Sequence, residues 1–171
     1  MFYKLIDTKN DGALTVLRVV MGAVFFAHGA QKIFAWFGGL GFAGTMRLFA
    51  EAFGIPAPLA FVAIMVEFIG SLALIAGFLG RLSALGLTIN MAVAIAIVHG
   101  RFGFFMNWDG RQPGEGIEYH LLAIAMGAVL VLRGSGALSV DGFLSGRFRD
   151  AASAEPDERS PTHKVHAIRT S

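Results

Sequence analysis

The chain has 171 residues, of which 55% are hydrophobic and 15% are charged, and its mean hydropathy is +0.63. Soluble domains carry about a quarter charged residues, so this balance indicates a membrane protein. The chain has no cysteine, which excludes disulfides, thiol redox chemistry and cysteine-ligated iron–sulfur or zinc sites. The formal net charge is only +2, and the sequence has no basic stripe or nucleic-acid-binding motif, so we expect no nucleic-acid partner.

Four apolar runs follow one another along the chain. They are predicted to span residues 14–37, 59–79, 82–98 and 117–132. A membrane-spanning helix needs about 20 mostly apolar residues, with a range of roughly 17–25, which the first three runs reach. The first run exceeds the apolar core of a cleavable signal peptide, about 7–15 residues, and three more runs follow it, so we interpret it as a retained helix. The sequence therefore predicts an all-α fold, an integral membrane four-helix bundle within residues 1–146.

Lysine and arginine residues near the predicted helix ends indicate the orientation in the membrane. One end carries Lys4, Lys9, Arg81, Arg133, Arg147 and Arg149, and the other end carries Lys32, Arg47, Arg101 and Arg111. Positive residues favour the cytoplasmic side, so we expect both termini in the cytoplasm. Residues 147–171 are polar and rich in Pro, Ser and Ala, which predicts a disordered cytoplasmic tail.

The two loops on the predicted outer side are the long ones. The first, residues 38–58, has helical spacing at 45–53 that suits a short interfacial helix. The second, residues 100–116, carries three phenylalanines and Trp108, which suits an aromatic lid at the membrane surface. Glycines of the first loop fit the G-x-G-x-x-G pattern of dinucleotide-binding proteins. That pattern requires a preceding β-strand, so we do not expect a nucleotide site here.

Polar side chains interrupt the predicted helices at similar depths. His28, Gln31 and Lys32 share one face of the first helix because they are three and four residues apart. At about 1.5 Å per residue, Glu67 of the second helix lies near the depth of His28. We therefore expect three layers of polar residues. The outer layer contains Gln31, Lys32, His99, Glu118 and His120, the middle layer His28 and Glu67, and the inner layer Arg18 and Asn90.

Three interpretations of these side chains are open from the residues alone. Ionisable groups in a membrane usually face the bundle interior, where they can serve a proton-coupled or redox pocket that opens outward. They can instead satisfy one another, with Glu67 paired to His28 or Arg18, and fix the helix register. The residue types also suit a metal ion or, between His99 and His120, a haem. Against a metal, these residues form no H-x-x-H or H-E-x-x-H pattern.

The polar motifs and their order resemble the DoxX family of small bacterial membrane proteins. The resemblance runs from about Leu14 to Asp141 and is carried by "LRVVMGAVFFAHGAQKIFAWFGG", Glu67 before a glycine-containing stretch, "GFLGRLSALGLTINM", "GIEYHLL" and "GALSVDGFL". It implies a four-helix membrane bundle and respiratory-type redox chemistry, since the family is similar to the membrane subunit of thiosulfate:quinone oxidoreductase. Some members look like membrane anchors for oxidative-stress assemblies that contain superoxide dismutase and a sulfurtransferase. The matching polar positions are His28, Gln31, Lys32, Glu67, Asn90, His99 and Glu118.

We therefore expect a multi-pass protein of the bacterial inner (plasma) membrane. It would be a component of a quinone-linked redox or oxidative-stress system with an outward-opening polar pocket. The predicted catalytic residues are His28, Lys32, Glu67 and His99. Lys32 and His99 would polarise a quinone carbonyl, while Glu67 and His28 would move protons. The predicted substrate-binding residues are Gln31, Trp36, Asn90, Trp108 and Glu118. The quinone would enter near Trp36 and Trp108, and no metal ligand is predicted.

The expected partners are the lipid bilayer, a soluble redox protein and a second copy of the chain. Two alternative functions do not require chemistry in the pocket. The first is a non-enzymatic membrane scaffold that recruits a soluble redox protein. The second is a carrier of a small solute or of protons, although the two halves of the chain show no evident inverted repeat.

Overall fold

The structure is a computed structural model that describes residues 5–154. Its helices are α1 (Gly12–Phe34), α2 (Gly41–Phe53), α3 (Ala57–Ala76), α4 (Gly80–Ala94), α5 (Glu118–Arg133) and α6 (Val140–Ala154). Three short turns of other helix types are present at Trp36–Gly38, Ile95–His99 and Gly100–Phe102. The described residues contain no β-strand, so the predicted all-α class is confirmed.

Three helices are long and apolar enough to cross a membrane. They are Gly12–Phe34, Ala57–Ala76 and the continuous stretch Gly80–Phe102, which joins α4 to the two turns after it. They correspond to the first three predicted spans. The first ends three residues earlier than predicted because Ala35 adopts a left-handed conformation with φ of 60°. The fourth predicted span corresponds to α5, which has 16 residues and is shorter than the other three.

The core lies among four of the helices. α1 packs along α3, α4 packs against both α3 and α5, and α5 also contacts α1. The buried apolar side chains that they share are Met21, Phe25, Leu74, Ala84, Leu87, Met91, Ala123 and Leu130. α2 packs across α1 and α3 at the end of α1 that carries Lys32. The short interfacial helix predicted in the first loop is thus present and covers one end of this core.

Small residues let α1 and α3 approach closely. A side chain at Gly29 would meet the backbone of Phe68, and one at Gly22 would meet Ile75 and the carbonyl of Ser71. A methyl group at Gly29 therefore has no space unless the two helices separate.

Gly29→Ala should lower the free energy of unfolding by about 1–3 kcal/mol, because the added methyl group overpacks the α1–α3 contact. Gly12→Ala is the matched control, since a side chain at Gly12 meets nothing within 4 Å and alanine is the better helix former. Thermal unfolding of both variants in detergent, followed by circular dichroism, measures the difference. Equal stability of the two variants would show that α1 and α3 are not held at this distance.

Arg18 lies at the other end of α1, with 1% of its surface exposed. Its guanidinium donates hydrogen bonds to four backbone carbonyls at distances of 2.6–3.1 Å, those of Leu74, Ile75, Ser135 and Leu138. The first two carbonyls belong to the last turn of α3. Pairing of Glu67 with Arg18 was one sequence-based alternative, and it is wrong because Glu67 lies two turns before Leu74 along α3 and is paired with Lys32.

Asp141, at the start of α6, closes the tight turn between α3 and α4. Its carboxylate accepts hydrogen bonds from the backbone N–H groups of Leu79 and Gly80, both at 2.8 Å, and from the Ser135 hydroxyl at 2.5 Å. Because Arg18 also binds the Ser135 carbonyl, Ser135 connects the two charged residues. We call this group the Arg18–Asp141 network. It ties the beginning of α1, the α3–α4 turn and the segment after α5 together.

The sequence predicted that a disordered tail begins at residue 147, and the structure differs from this prediction. α6 continues through Ala154, so residues 147–154 are helical. The sequence reading missed this helix because its apolar residues are few, whereas buried Asp141 and Ser145 anchor it to the rest of the molecule. The remainder of the predicted tail, residues 155–171, lies outside the described residues, as does Lys4.

Candidate functional site

A cavity of about 400 Å³ lies at the end of the core opposite the Arg18–Asp141 network. All four predicted catalytic residues and one predicted binding residue line it. They are His28, Lys32, Glu67, His99 and Asn90. Most of the remaining lining is apolar, and small-molecule sites in proteins typically have volumes of about 300–1,000 Å³.

The spacing of residues on each helix explains how the cavity is built. Phe25, His28 and Lys32 of α1 are three and four residues apart and therefore project from one face. Asn90 and Ala94 of α4 follow the same rule. After Ala94 the helix widens into the single π turn Ile95–His99, a type of irregularity that is frequent at functional sites.

Lys32 and Glu67 form an ion pair inside the cavity, with 2.7 Å between Nζ and Oε1. Their side chains are 24% and 5% exposed, so the carboxylate is shielded from water. The sequence placed the two residues in different layers. They meet because side chains on a helix lean toward its N-terminus, so the long lysine side chain reaches back along α1 to the level of Glu67. Glu67 therefore pairs with Lys32 rather than with His28 or Arg18.

His99 and His120 lie next to each other on the cavity wall, with ring centroids 4.1 Å apart. His99 Nδ1 is 2.8 Å from the Glu115 carbonyl oxygen. A carbonyl oxygen only accepts hydrogen bonds, so Nδ1 carries the hydrogen and Nε2 is the nitrogen left for another partner.

Tyr119 and His120 carry buried polar atoms, Tyr119 Oη and His120 Nδ1, that have no hydrogen-bond partner within the described residues. Both residues line the cavity. Buried polar atoms are nearly always hydrogen-bonded, so a ligand or water is the expected partner. Tyr119 was missed from the sequence and His120 was not chosen as a site residue. The sequence contained a signal for Tyr119 and His120, because both directly follow Glu118 in the polar start of α5, "EYH".

Four predicted binding residues lie outside the cavity lining. Gln31 donates a hydrogen bond to the Phe37 carbonyl at 3.2 Å, and Glu118 accepts one from the Met106 backbone at 3.1 Å. Trp36 packs on Phe34 beyond the end of α1. Trp108 is 84% exposed at the tip of the second loop. Sequence spacing could not place these residues, because three of them lie in turns or bind to turns whose direction the helical period does not set.

A metal or haem site receives no support from the geometry. Between residues 5 and 154, no group of three or more His, Asp or Glu side chains is placed to hold a metal ion. The rings of His99 and His120 are too close to each other for a macrocycle to lie between them.

Comparisons with known proteins agree with the family resemblance of the sequence motifs. A family model described as DoxX matches residues 13–100. "Putative oxidoreductase CatD" of Bacillus subtilis is 28% identical over 129 residues, which is 75% of this chain and 84% of that protein. "Inner membrane protein YqjF" of Escherichia coli is 29% identical over 136 residues, 80% of this chain and 95% of that protein.

An uncharacterized protein of Haemophilus influenzae is 33% identical over 142 residues, 79% of this chain and 88% of its own length. No solved structure matches the chain significantly. The resemblance inferred from the polar motifs is thereby confirmed. The chain belongs to the DoxX family of membrane proteins.

Proposed function

We propose that the protein is a multi-pass inner-membrane protein that binds a quinone in the cavity and works in a quinone-linked redox or oxidative-stress system. The observation that carries the proposal is the composition of the cavity. A mostly apolar wall surrounds the Lys32–Glu67 ion pair and two buried polar atoms that have no hydrogen-bond partner among residues 5–154. The names of two relatives, "Putative oxidoreductase CatD" and "Inner membrane protein YqjF", agree with a redox role in the inner membrane.

The proposed membrane arrangement has four spans, α5 being the fourth, with both termini in the cytoplasm. α5 is about 24 Å long at 1.5 Å per residue, close to the hydrocarbon thickness of about 30 Å. Its contacts with α1 and α4 support a place inside the bundle. The Arg18–Asp141 network brings the start of α1, the α3–α4 turn and α6 to one end. Lys9, Arg81, Arg133, Arg147 and Arg149 belong to this end, which favours the cytoplasmic side.

A quinone head-group fits the residues that line the cavity. It is a flat apolar ring with two carbonyl oxygens that accept hydrogen bonds. Tyr119 Oη is a donor, and His120 Nδ1 can donate to a carbonyl or accept from the hydroxyl of the reduced form. The Lys32 ammonium has three N–H groups, of which one is needed for Glu67, so the others are available to a carbonyl oxygen.

The residues of this chain would bind and orient the head-group and supply protons. Bound quinone would supply the chemistry of a carrier of two electrons and two protons. Lys32 would hold one carbonyl oxygen, and Glu67 would hold the proton that Lys32 exchanges. His99 Nε2 and His28 would connect this pair to the surface. Since the chain has no cysteine for thiol or iron–sulfur chemistry, the electrons would come from a partner, for which a soluble redox protein is the proposed candidate.

His99→Ala should weaken quinone binding about tenfold or more, because the variant removes a hydrogen-bonding group from the cavity wall. Titration of the purified protein in mild detergent with a quinone measures the dissociation constant. Trp108→Ala is the matched control, since Trp108 is an exposed aromatic residue outside the cavity. Unchanged affinity of the His99 variant, or an equal loss in the Trp108 variant, would contradict the placement of the quinone in this cavity.

A scaffold function is the second candidate, and one surface favours it. Phe104, Phe105 and Trp108 are 51%, 67% and 84% exposed on the second loop. Exposed aromatic residues of this kind are enriched where proteins bind partners. A scaffold would co-purify with a soluble redox protein through this loop and would tolerate substitutions in the cavity.

A further inference from the structure

The exposure of the cavity lining changes from one side of the cavity to the other. At the deep end Phe25, Glu67 and His120 are almost completely buried. Val93 of α4 and Ile97 of the π turn after it also line the cavity but are 44% and 42% exposed. Phe49 of α2 also belongs to the lining and is half-buried. The cavity is therefore deepest beside Phe25, Glu67 and His120, and its apolar lining is exposed at Val93 and Ile97.

The end of the cavity is covered by the second loop. Backbone hydrogen bonds join Phe104 to Glu118 and Phe105 to Gly116, at 2.9 and 3.2 Å, and hold this loop against the start of α5. Met106 and Glu115 of the same loop line the cavity. The Glu115 carbonyl is also fixed by His99.

α2 covers the same end from the other direction. The Thr45 hydroxyl donates to the Lys32 carbonyl at 3.3 Å and thereby attaches α2 to the last turn of α1. Phe49 and Phe53 of α2 contribute to the cavity wall. The loop and α2 are thus both attached over the end of the cavity, whereas the exposed apolar residues Val93 and Ile97 lie at its side.

The height of these two residues places them within the hydrocarbon layer. Val93 and Ile97 lie 13 and 17 residues after Gly80, where the continuous apolar stretch Gly80–Phe102 begins. At 1.5 Å per residue these positions are about 20 and 26 Å from that start, inside a hydrocarbon layer of about 30 Å.

We infer that the cavity opens sideways into the bilayer, between Phe49 and Phe53 of α2 on one side and Val93 of α4 and Ile97 of the following π turn on the other. Its ligand therefore carries an apolar tail that stays in the lipid. The inference rests on the proposed function for the chemistry of the head-group and adds the route and the class of ligand. It replaces the entry near Trp36 and Trp108 expected from the sequence. A head-group entering here would meet the Lys32–Glu67 pair while its tail remained beside Val93 and Ile97.

The test compares two probes that share one head-group: 2,3-dimethoxy-5-methyl-1,4-benzoquinone, which has no tail, and its 6-decyl derivative. Binding is measured by stopped flow on the full chain in lipid nanodiscs. Val93→Trp and Ile97→Trp each narrow the sideways opening with a bulky apolar side chain. Ile89→Trp is the matched control, because Ile89 lies on the exposed surface of α4 and does not line the cavity. Thermal unfolding of each variant checks that it is folded.

We expect the association rate of the decyl probe to fall about tenfold or more in Val93→Trp and Ile97→Trp, and to be unchanged in Ile89→Trp. The tail-less probe should bind the three variants with similar affinity. Equal rates for the decyl probe in all three variants would overturn the sideways opening, while the proposed quinone binding would stand. An equal loss of affinity for both probes would overturn the sideways opening too, because the tail of the ligand would then not matter. Failure of both probes to bind the wild type would overturn the proposed function and this inference together.

Discussion

Arg18→Leu should lower the free energy of unfolding by about 3–5 kcal/mol, the size of effect expected when one member of a buried charged group is removed. Arg18 is 1% exposed and binds four backbone carbonyls, including the last ones of α3. Leucine fills part of the space but donates no hydrogen bond, so these buried acceptors lose their partners. Asp141, which interacts electrostatically with Arg18, would also lose a positive neighbour.

The matched control for this prediction is Arg133→Leu, since Arg133 is an exposed arginine at the end of α5. Its replacement should change the stability by no more than about 0.5 kcal/mol. Both variants are measured by equilibrium unfolding in mixed micelles with circular dichroism. Similar losses in the two variants would mean that Arg18 contributes only as an ordinary surface charge and that the Arg18–Asp141 network does not hold this end of the helices together.

Lys32→Met should abolish quinone binding and lower the free energy of unfolding by about 3 kcal/mol. The loss of stability arises because the Glu67 carboxylate, 5% exposed, is left without its partner at 2.7 Å. The double variant Lys32→Met with Glu67→Gln removes both charges and keeps the side-chain volumes. It should recover most of the stability, because no uncompensated charge remains, but quinone binding should stay lost.

This pair of variants separates a structural role of the ion pair from a role in binding. If Lys32 and Glu67 only fix the register of α1 and α3, the double variant should regain ligand binding together with stability. Binding that returns with the neutral pair would therefore show that the pair acts as a structural contact. Quinone affinity and thermal unfolding are measured on the same preparations, with Gln31→Met as the control, since Gln31 lies beside Lys32 on α1 but outside the cavity lining.

Much of the site was predictable because helical periodicity and depth are simple functions of residue number. His28 and Lys32 share a face of α1, and Glu67 and His99 fall at compatible depths on α3 and after α4. The assignment of Lys32 and Glu67 to separate layers failed, since it counted backbone rise only and left out the length and lean of a lysine side chain.

The rest of the site depended on contacts between elements that are distant in the sequence. Trp36 and Trp108 were chosen for their type, but the turn at Ala35 and the tip of the second loop direct them away from the cavity. Asn90 was expected near Arg18 and instead lines the cavity with Lys32. The part of the cavity wall formed by α2 could not be predicted, because no local pattern in the sequence specifies how that helix folds back across α1 and α3.

The most direct test of quinone binding by this cavity is the quinone content of the protein as purified from a bacterial membrane in mild detergent. Organic-solvent extraction followed by chromatography gives the ratio of quinone to chain, with saturable titration of the extracted protein as the second readout. We expect about one quinone per chain for the wild type and none above background for the Lys32→Met, Glu67→Gln double variant. A wild-type protein that carries no quinone and shows no saturable binding of added quinone would contradict the proposal.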